Sequence, residues 1–370
     1  KKYFFHISKI MLYQYFYNMV LNNLIFFFAL AVFCVLFNKY FLAILIKYKL
    51  NLLIDNQFQK PQAFHELPTP ISGGIGIFLS FLIVCLYLIL FQNFNYYEYL
   101  SFCTLFFLLG ITDDLKANLR PKVRLILMII FLVLLVQHNN FYVENTGVEF
   151  INYFIQSSNI FSLIFICLCF LFMINGANLV DGYNGLLGIH SLIILINLFL
   201  INYFSENTDL VLLLFGVIII LFVFLKFNFP KAQLFLGDSG SYFLGTFIAV
   251  SAIKTSLANP MISPFYFCIL LYYLFFEVFF SFIRKLVSKG KHPLIPDKQH
   301  LHMLIYQWLY KKNNLKLKSN YCVSIIINSI YLVSIIPGIL FMQSGMFCKY
   351  YAIFLIFIYT VSYRIAYKKE

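Results

Sequence analysis

Long apolar runs alternate with short polar segments along almost the whole chain. Eleven runs approach the length a helix needs to cross a bilayer, ~20 residues. They lie at about 24–46, 72–91, 99–112, 123–138, 158–175, 185–203, 210–227, 241–258, 264–286, 322–342 and 349–364, the last of them short. Apolar residues follow one another without the in–out alternation of a barrel strand. Helices are therefore the predicted spanning element. Segment 3–20 is aromatic and fits either an interfacial helix or part of the first span. The fold class is all-α: a polytopic integral membrane protein of about ten or eleven transmembrane helices, a single domain over 1–370 with no fixed-period repeat.

Composition agrees with this. The chain is 62% hydrophobic and 11% charged, against about 45–50% and ~25% in soluble domains. Its net charge of +13 would suggest nucleic acid in a soluble protein. Here the basic residues flank apolar spans, so orientation and anionic lipid or phosphate explain them and no nucleic acid is expected. Twenty-one of the 27 Lys and Arg fall on one side of the predicted spans, and the opposite loops at 92–97, 139–157, 204–208, 259–263 and 343–348 hold none. The basic side is thus expected in the cytoplasm, with the C-terminus. No cleavable signal peptide is expected, because the first apolar run is too long and lacks a small-residue cleavage site. The eight cysteines have no metal-ligand spacing and read as buried free thiols.

The residues able to do chemistry collect in five segments on the basic side. These are His65-Glu-Leu-Pro-Thr-Pro70, Asp113-Asp114, Asn175-x-x-Asn178-x-x-Asp181-Gly, Gly237-Asp238-Ser-Gly-Ser241 and Pro296-Asp297-Lys-Gln-His300-Leu-His302. Two carboxylates at a helix C-terminus are disfavoured by the helix dipole and by each other, so Asp113 and Asp114 call for a cation. Lys116, Arg120, Lys122 and Arg124 are simple counterions; a site that positions a metal-bound or protonated substrate is the sharper reading. Asn175, Asn178 and Asp181 recur every third residue, which places them on roughly one helix face. A helix C-cap accounts for Gly182 and Asn184 but not for three aligned polar side chains. In the fourth segment Asp238, Ser239 or Ser241 reads either as an N-cap or as a ligand for magnesium, which favours few carboxylates plus phosphate oxygens. Asp297, His300 and His302 occupy the most basic loop. A diphosphate cradle suits them better than a zinc site completed by His292. Glu277, inside a span, is either functional or paired with Arg284 two turns on.

Together, Leu179-Val-Asp-Gly-Tyr-Asn-Gly-Leu186, Phe235-Leu-Gly-Asp-Ser-Gly-Ser241, the Pro-Asp-Lys-Gln-His-Leu-His loop, His65-x-x-Pro-Thr-Pro70 with Gly73-Gly74, and Asp113-Asp114 resemble the polyprenyl-phosphate N-acetylhexosamine-1-phosphate transferases (glycosyltransferase family 4). The resemblance covers about residues 24–365. The Pro-Asp-x-Gln-His-x-His form is similar to the WecA-type branch rather than the phospho-MurNAc-pentapeptide branch. Met303 stands where that branch usually has a further His, and Ile71 where an Arg is common.

The resemblance implies transfer of HexNAc-1-phosphate, GlcNAc-1-phosphate first, from UDP-HexNAc to undecaprenyl phosphate with release of UMP. It implies a multi-pass protein of the bacterial inner membrane whose cytoplasm-facing site begins O-antigen or other envelope polysaccharide synthesis. Residue by residue, Asp238 matches the magnesium ligand with Asn178 beside it, manganese being an alternative ion. Asp113 and Asp114 match the pair that engages the lipid phosphate, and Lys122 a diphosphate contact. Asn184 and Asn228 match uridine-pocket positions, with Asp181 in the same loop. His300 and His302 match the loop over sugar and diphosphate, and Asn175 and His65 join the substrate-contacting set. A homodimer is admitted. Rival readings are the pentapeptide branch and, in a different class, a secondary transporter, which would place its polar residues at mid-bilayer.

Overall fold

The computed structural model describes residues 2–48, 53–55, 68–92, 94–95, 97–116, 119–287 and 297–368, the side chains of 2–21 excepted. His65 and His292 lie outside the described residues. Thirteen helices and one two-stranded ribbon follow in the order α1 (Lys2–Lys47), β1 (Ile54–Asp55), β2 (Thr69–Pro70), α2 (Gly73–Gln92), α3 (Tyr97–Asp114), α4 (Pro121–Asn139), α5 (Glu149–Ser157), α6 (Asn159–Val180), α7 (Leu186–Phe204), α8 (Thr208–Asn228), α9 (Gly237–Ala258), α10 (Pro264–Val287), α11 (Leu301–Asn313), α12 (Lys316–Leu340) and α13 (Gly345–Lys368).

Among the described residues, ten helices are long and apolar enough to cross a membrane. The chain is a multi-pass membrane protein. Helix α3 is the eleventh crossing by connectivity; its charges, Glu98, Asp113 and Asp114, stand at its two ends. All eleven predicted spans are helices. Segment 3–20 is continuous with the first of them, making α1 46 residues long, about 69 Å at 1.5 Å per residue. Two short helices, α5 and α11, occupy stretches that hydropathy left as loops. Helix α5 exposes Phe150, Tyr153 and Phe154, an aromatic belt of the kind found at a membrane interface.

Helix α9 is the most buried of the ten and packs against α2, α3, α6 and α7. Its partnership with α3 is antiparallel and tied at both ends. At the outer end Lys254 pairs with Glu98 at 2.6 Å, and the Tyr99 hydroxyl donates to Ser251 at 3.3 Å. At the inner end the Gly110 backbone of α3 comes so close to α9 that a Cβ there would stand 2.5 Å from the Asp238 carbonyl oxygen. Helices α10, α12 and α13 form a second group around α11. The inner ends of α3, α6, α8, α10 and α13, together with the starts of α2, α4, α7, α9 and α12, surround the polar segments.

Orientation is testable by impermeant thiol labelling. Ser205→Cys, just past the outer end of α7, is expected to react in intact cells. Lys316→Cys, at the inner start of α12, is expected to react only after permeabilisation. The opposite pattern would invert the assignment drawn from the charge asymmetry.

Candidate active site

The first element of the site is a backbone frame. Strands β1 and β2 pair antiparallel, Ile54 opposite Pro70. The chain then runs beside the turn preceding α9: Phe235 N donates to Pro70 O (2.8 Å), Gly73 N to Phe235 O (2.9 Å) and Gly74 N to Leu236 O (2.8 Å). The Pro-Thr-Pro…Gly-Gly motif thus clamps the Gly-Asp-Ser turn in place.

Asp238 is not the N-cap of α9; that position is Leu236, and it makes no side-chain cap bond. Asp114 does the capping from another helix. Its Oδ1 accepts from Asp238 N at 2.8 Å and its Oδ2 from Ser239 N at 3.0 Å. A helix start leaves its first N–H groups without partners and carries partial positive charge, so one buried carboxylate meets both needs. Gly237 makes room: its φ is +80°, and a Cβ there would stand 2.7 Å from Asp114 Oδ2. The cation that Asp113 calls for is Arg124, whose Nη1 lies 2.8 Å from Asp113 Oδ2 and 3.6 Å from Asp238 Oδ2. Lys122, two residues earlier on α4, is exposed. Arg124, read from sequence only as a counterion, is the basic residue that sits between two of the carboxylates.

From α6, Asn178 Nδ2 donates to Asp238 Oδ1 at 2.7 Å and to Ser241 Oγ at 3.1 Å. The three-residue stripe divides here. Asn175 turns back on its own helix, donating to Leu171 O at 2.8 Å beside Met128 of α4. Asp181 ends the helix. Burial, and then the nearby Asp238 and Asp114, push its carboxyl well above the ordinary range. Such a carboxylate favours a proton or a cation beside it.

The predicted uridine-pocket amides are held by backbone. Asn228 Oδ1 accepts from Gly185 N (2.7 Å) while its Nδ2 donates to Leu234 O (2.9 Å). Asn184 Nδ2 donates to Pro230 O at 2.9 Å. Both residues shape the loop that carries Asp181.

The histidine segment is organised by Glu277, which pairs with His300 and not with Arg284. Glu277 Oε1 accepts from Leu301 N (3.2 Å) and lies 3.0 Å from His300 Nδ1, and its Oε2 accepts from the Tyr359 hydroxyl at 2.5 Å. Arg284 is bound instead to Asp297 (2.8 Å) and Gln299 (2.7 Å). His300 and His302 stack with centroids 5.5 Å apart. His302 is fully buried and neither ring nitrogen has a hydrogen-bond partner. Burial pushes its pKa down to about 4 against the opposing pull of Glu277. Tyr183, two residues past Asp181, packs edge-on against His302 with centroids 5.8 Å apart, which joins the two halves of the site. Nothing in the spacing of Tyr183 marks it; its motif neighbours were the only signal.

Among the described residues no group of three His, Cys, Asp or Glu side chains could hold a metal by itself. His292, which would complete a zinc site with His300 and His302, lies outside the described residues. A sparse set of Asp238 and Asn178, with Asp181 nearby, does fit an ion such as magnesium that takes most of its ligands from phosphate and water.

Residues 96–256 match the family described as Glycosyl transferase family 4. The chain is 32% identical over 238 residues to an undecaprenyl-phosphate alpha-N-acetylglucosaminyl 1-phosphate transferase of Thermotoga maritima, covering 64% of this chain and 68% of that protein. It is 36% identical over 196 residues to a phospho-N-acetylmuramoyl-pentapeptide-transferase of Dictyoglomus turgidum (51% and 61%). It is 27% identical over 321 residues to a protein of the same description from Prochlorococcus marinus (77% and 85%). The chain belongs to glycosyl transferase family 4, a family of polyprenyl-phosphate phospho-sugar transferases.

Two outcomes follow from the geometry. Asp114→Asn presents an amide where two backbone N–H groups need acceptors, and one goes unpaired. The expected cost is about 1–3 kcal/mol of stability. Asp113→Asn keeps an acceptor for Arg124 at a less buried position and should cost under about 1 kcal/mol. Thermal unfolding of the two variants in detergent checks this; equal losses would refute the capping role. For His302 the sign is set by its lowered pKa. Its contribution is complete above about pH 6.5 and is lost as pH falls toward about 4, because the unfolded chain then binds the extra proton. The melting temperature of the native protein should therefore fall more steeply between pH 6.5 and 4 than that of His302→Gln. Parallel slopes would show that His302 is not held neutral.

Proposed function

We propose that this protein transfers HexNAc-1-phosphate, most readily GlcNAc-1-phosphate, from UDP-HexNAc to undecaprenyl phosphate. In the net transfer a lipid phosphate oxygen becomes bonded to the β-phosphorus of the nucleotide sugar, directly or by way of an aspartyl phosphate. The bridging bond to the α-phosphate breaks, UMP leaves, and undecaprenyl-diphospho-HexNAc remains in the membrane. The observation that carries this reading is the centre at the start of α9. There Asp114 caps the helix, Asn178 orients Asp238, and Arg124 lies between Asp113 and Asp238.

Both substrates are anionic and repel one another, so positioning and charge neutralisation are most of what the transfer needs. Magnesium, held by Asp238 with Asn178 beside it, would supply that neutralisation at the diphosphate. Arg124 adds a fixed positive charge at the same place, and Lys122 offers an exposed one nearby. Asp181 and its loop face the nucleotide, and His300 and His302 close over the sugar and diphosphate. A centre at helix ends suits a lipid headgroup meeting a cytosolic nucleotide better than it suits a transport path through mid-bilayer. Accordingly the protein would work in a bacterial inner membrane with its site toward the cytoplasm, at the first membrane step of an envelope polysaccharide.

The HexNAc preference draws on the Pro-Asp-x-Gln-His-x-His loop and on the Thermotoga relative. The two pentapeptide-transferase relatives favour a second reading, with UDP-MurNAc-pentapeptide as donor. One experiment serves both. UMP release by purified protein is followed with magnesium, undecaprenyl phosphate and UDP-GlcNAc, UDP-GalNAc or UDP-MurNAc-pentapeptide in competition. Lipid-dependent release from UDP-GlcNAc is expected. Asp238→Asn, which keeps size and removes charge, should lower turnover at least ~10²-fold. No lipid-dependent UMP with any donor would refute the enzyme reading, and preference for the pentapeptide nucleotide would move the protein to the other branch.

A further inference from the structure

Besides the bonds to Asn228 and Pro230, the turn carrying Asp181 is fastened from α12. Among the described residues, a Cβ placed at Gly182 would meet nothing within 4 Å. Helix α12 presents Asn320, Ser324 and Asn328, four residues apart and therefore on one helix face. All three are buried, at 5%, 0% and 4% exposure. Asn320 Oδ1 accepts from Asn184 N at 2.9 Å, the Ser324 hydroxyl donates to Asn184 O at 2.7 Å, and Asn328 Nδ2 donates to Leu186 O at 3.1 Å. The remaining oxygen of Asn328 lies 3.1 Å from His190 Nδ1 on α7.

Serine and asparagine inside a helix ordinarily bond their own preceding turn or turn outward to solvent. Here all three reach across to one three-residue segment of another part of the chain. The Asn320 and Ser324 bonds occupy both backbone groups of Asn184, which precedes α7 and would otherwise bury them without these partners. Only Gly182 and Tyr183 separate this segment from Asp181, and no hydrogen bond of the Asp181 carboxyl itself fixes its position among the described residues. The placement of that carboxyl, and of Tyr183 against His302, is consequently set by the backbone that α12 holds.

We propose that Asn320, Ser324 and Asn328 form a positioning stripe that sets the geometry of the Asp181–Tyr183 turn and with it the affinity for the nucleotide sugar. The inference rests on the UDP-sugar reading above. Its test is a pair of substitutions in the full-length protein, Asn320→Ala and Ser324→Ala. UDP binding is followed by calorimetry, and KM is measured separately for UDP-GlcNAc and for undecaprenyl phosphate. Each alanine leaves one buried backbone group unpaired, which corresponds to about ten-fold. The Kd for UDP and the KM for UDP-GlcNAc should rise by that factor while the KM for the lipid stays unchanged. Ser324→Thr, which keeps the hydroxyl, should retain native UDP affinity. Should Asn320→Ala fail to fold, Ser324→Ala, the smaller deletion, carries the same reading. Unchanged UDP affinity, or a parallel rise in both KM values together with a lowered melting temperature, would overturn the stripe and leave the functional reading standing. Native protein that binds no UDP and releases no UMP would overturn the functional reading, and the stripe with it.

Discussion

The meeting of α3 and α9 at the candidate site is built on one carboxylate that caps a helix other than its own. Asp114 ends α3, where its charge opposes the helix dipole. It is kept there because α9 begins within hydrogen-bonding distance and offers two N–H groups with no other partner. The same contact fixes the direction in which Asp238 leaves the backbone. It explains why position 237 is a glycine with positive φ, and why α3 and α9 approach at Gly110 more closely than a Cβ allows. Asn178, Ser241 and Arg124 then refine the position of a side chain whose backbone is already set.

Charge is divided unevenly around this contact. Asp114 is spent on the helix, Asp113 shares Arg124 with Asp238, and Asp181 contributes a further carboxyl in the same recess. Arg124 is the cation that the described contacts place directly among them. Among the described residues carboxyl groups outnumber cations in this recess, and Arg120 and Lys122 stand exposed beside it in sequence. That combination suits a metal-bound diphosphate, which brings positive charge inward and negative charge outward in one ligand.

How much of this could be read from the sequence depends on the range of the interaction. The eleven crossings were legible because hydropathy is a local property and continuous runs leave little choice of element. The five polar segments were legible as a group because the charge asymmetry put them on one side. Pairings between distant segments were not. The natural reading of Asp238 as an N-cap follows from its position at a helix start, yet the cap comes from a residue 124 positions away. The spacing of Glu277 and Arg284 suggested a pair two turns apart, whereas Glu277 turns to His300 and Tyr359, residues on separate helices. Asn175 shares the period of Asn178 and Asp181, but three-residue spacing drifts around a helix of 3.6 residues per turn, enough to send Asn175 toward α4. Helices α5 and α11 escaped notice because they are too short for a crossing and lie in polar surroundings.

The antiparallel pair α3 and α9 behaves as a strut pinned at both ends. Sliding either helix by one turn, about 5.4 Å, would break the Glu98–Lys254 pair at one end and strip Asp114 from its N–H groups at the other. Each loss would separate a charged or backbone polar group from the partner it holds here. The strut is thus a stator. Any relative motion of the helices must then be carried by the elements around it, with the carboxylates on α3 and α9 as the reference frame against which the rest of the molecule moves.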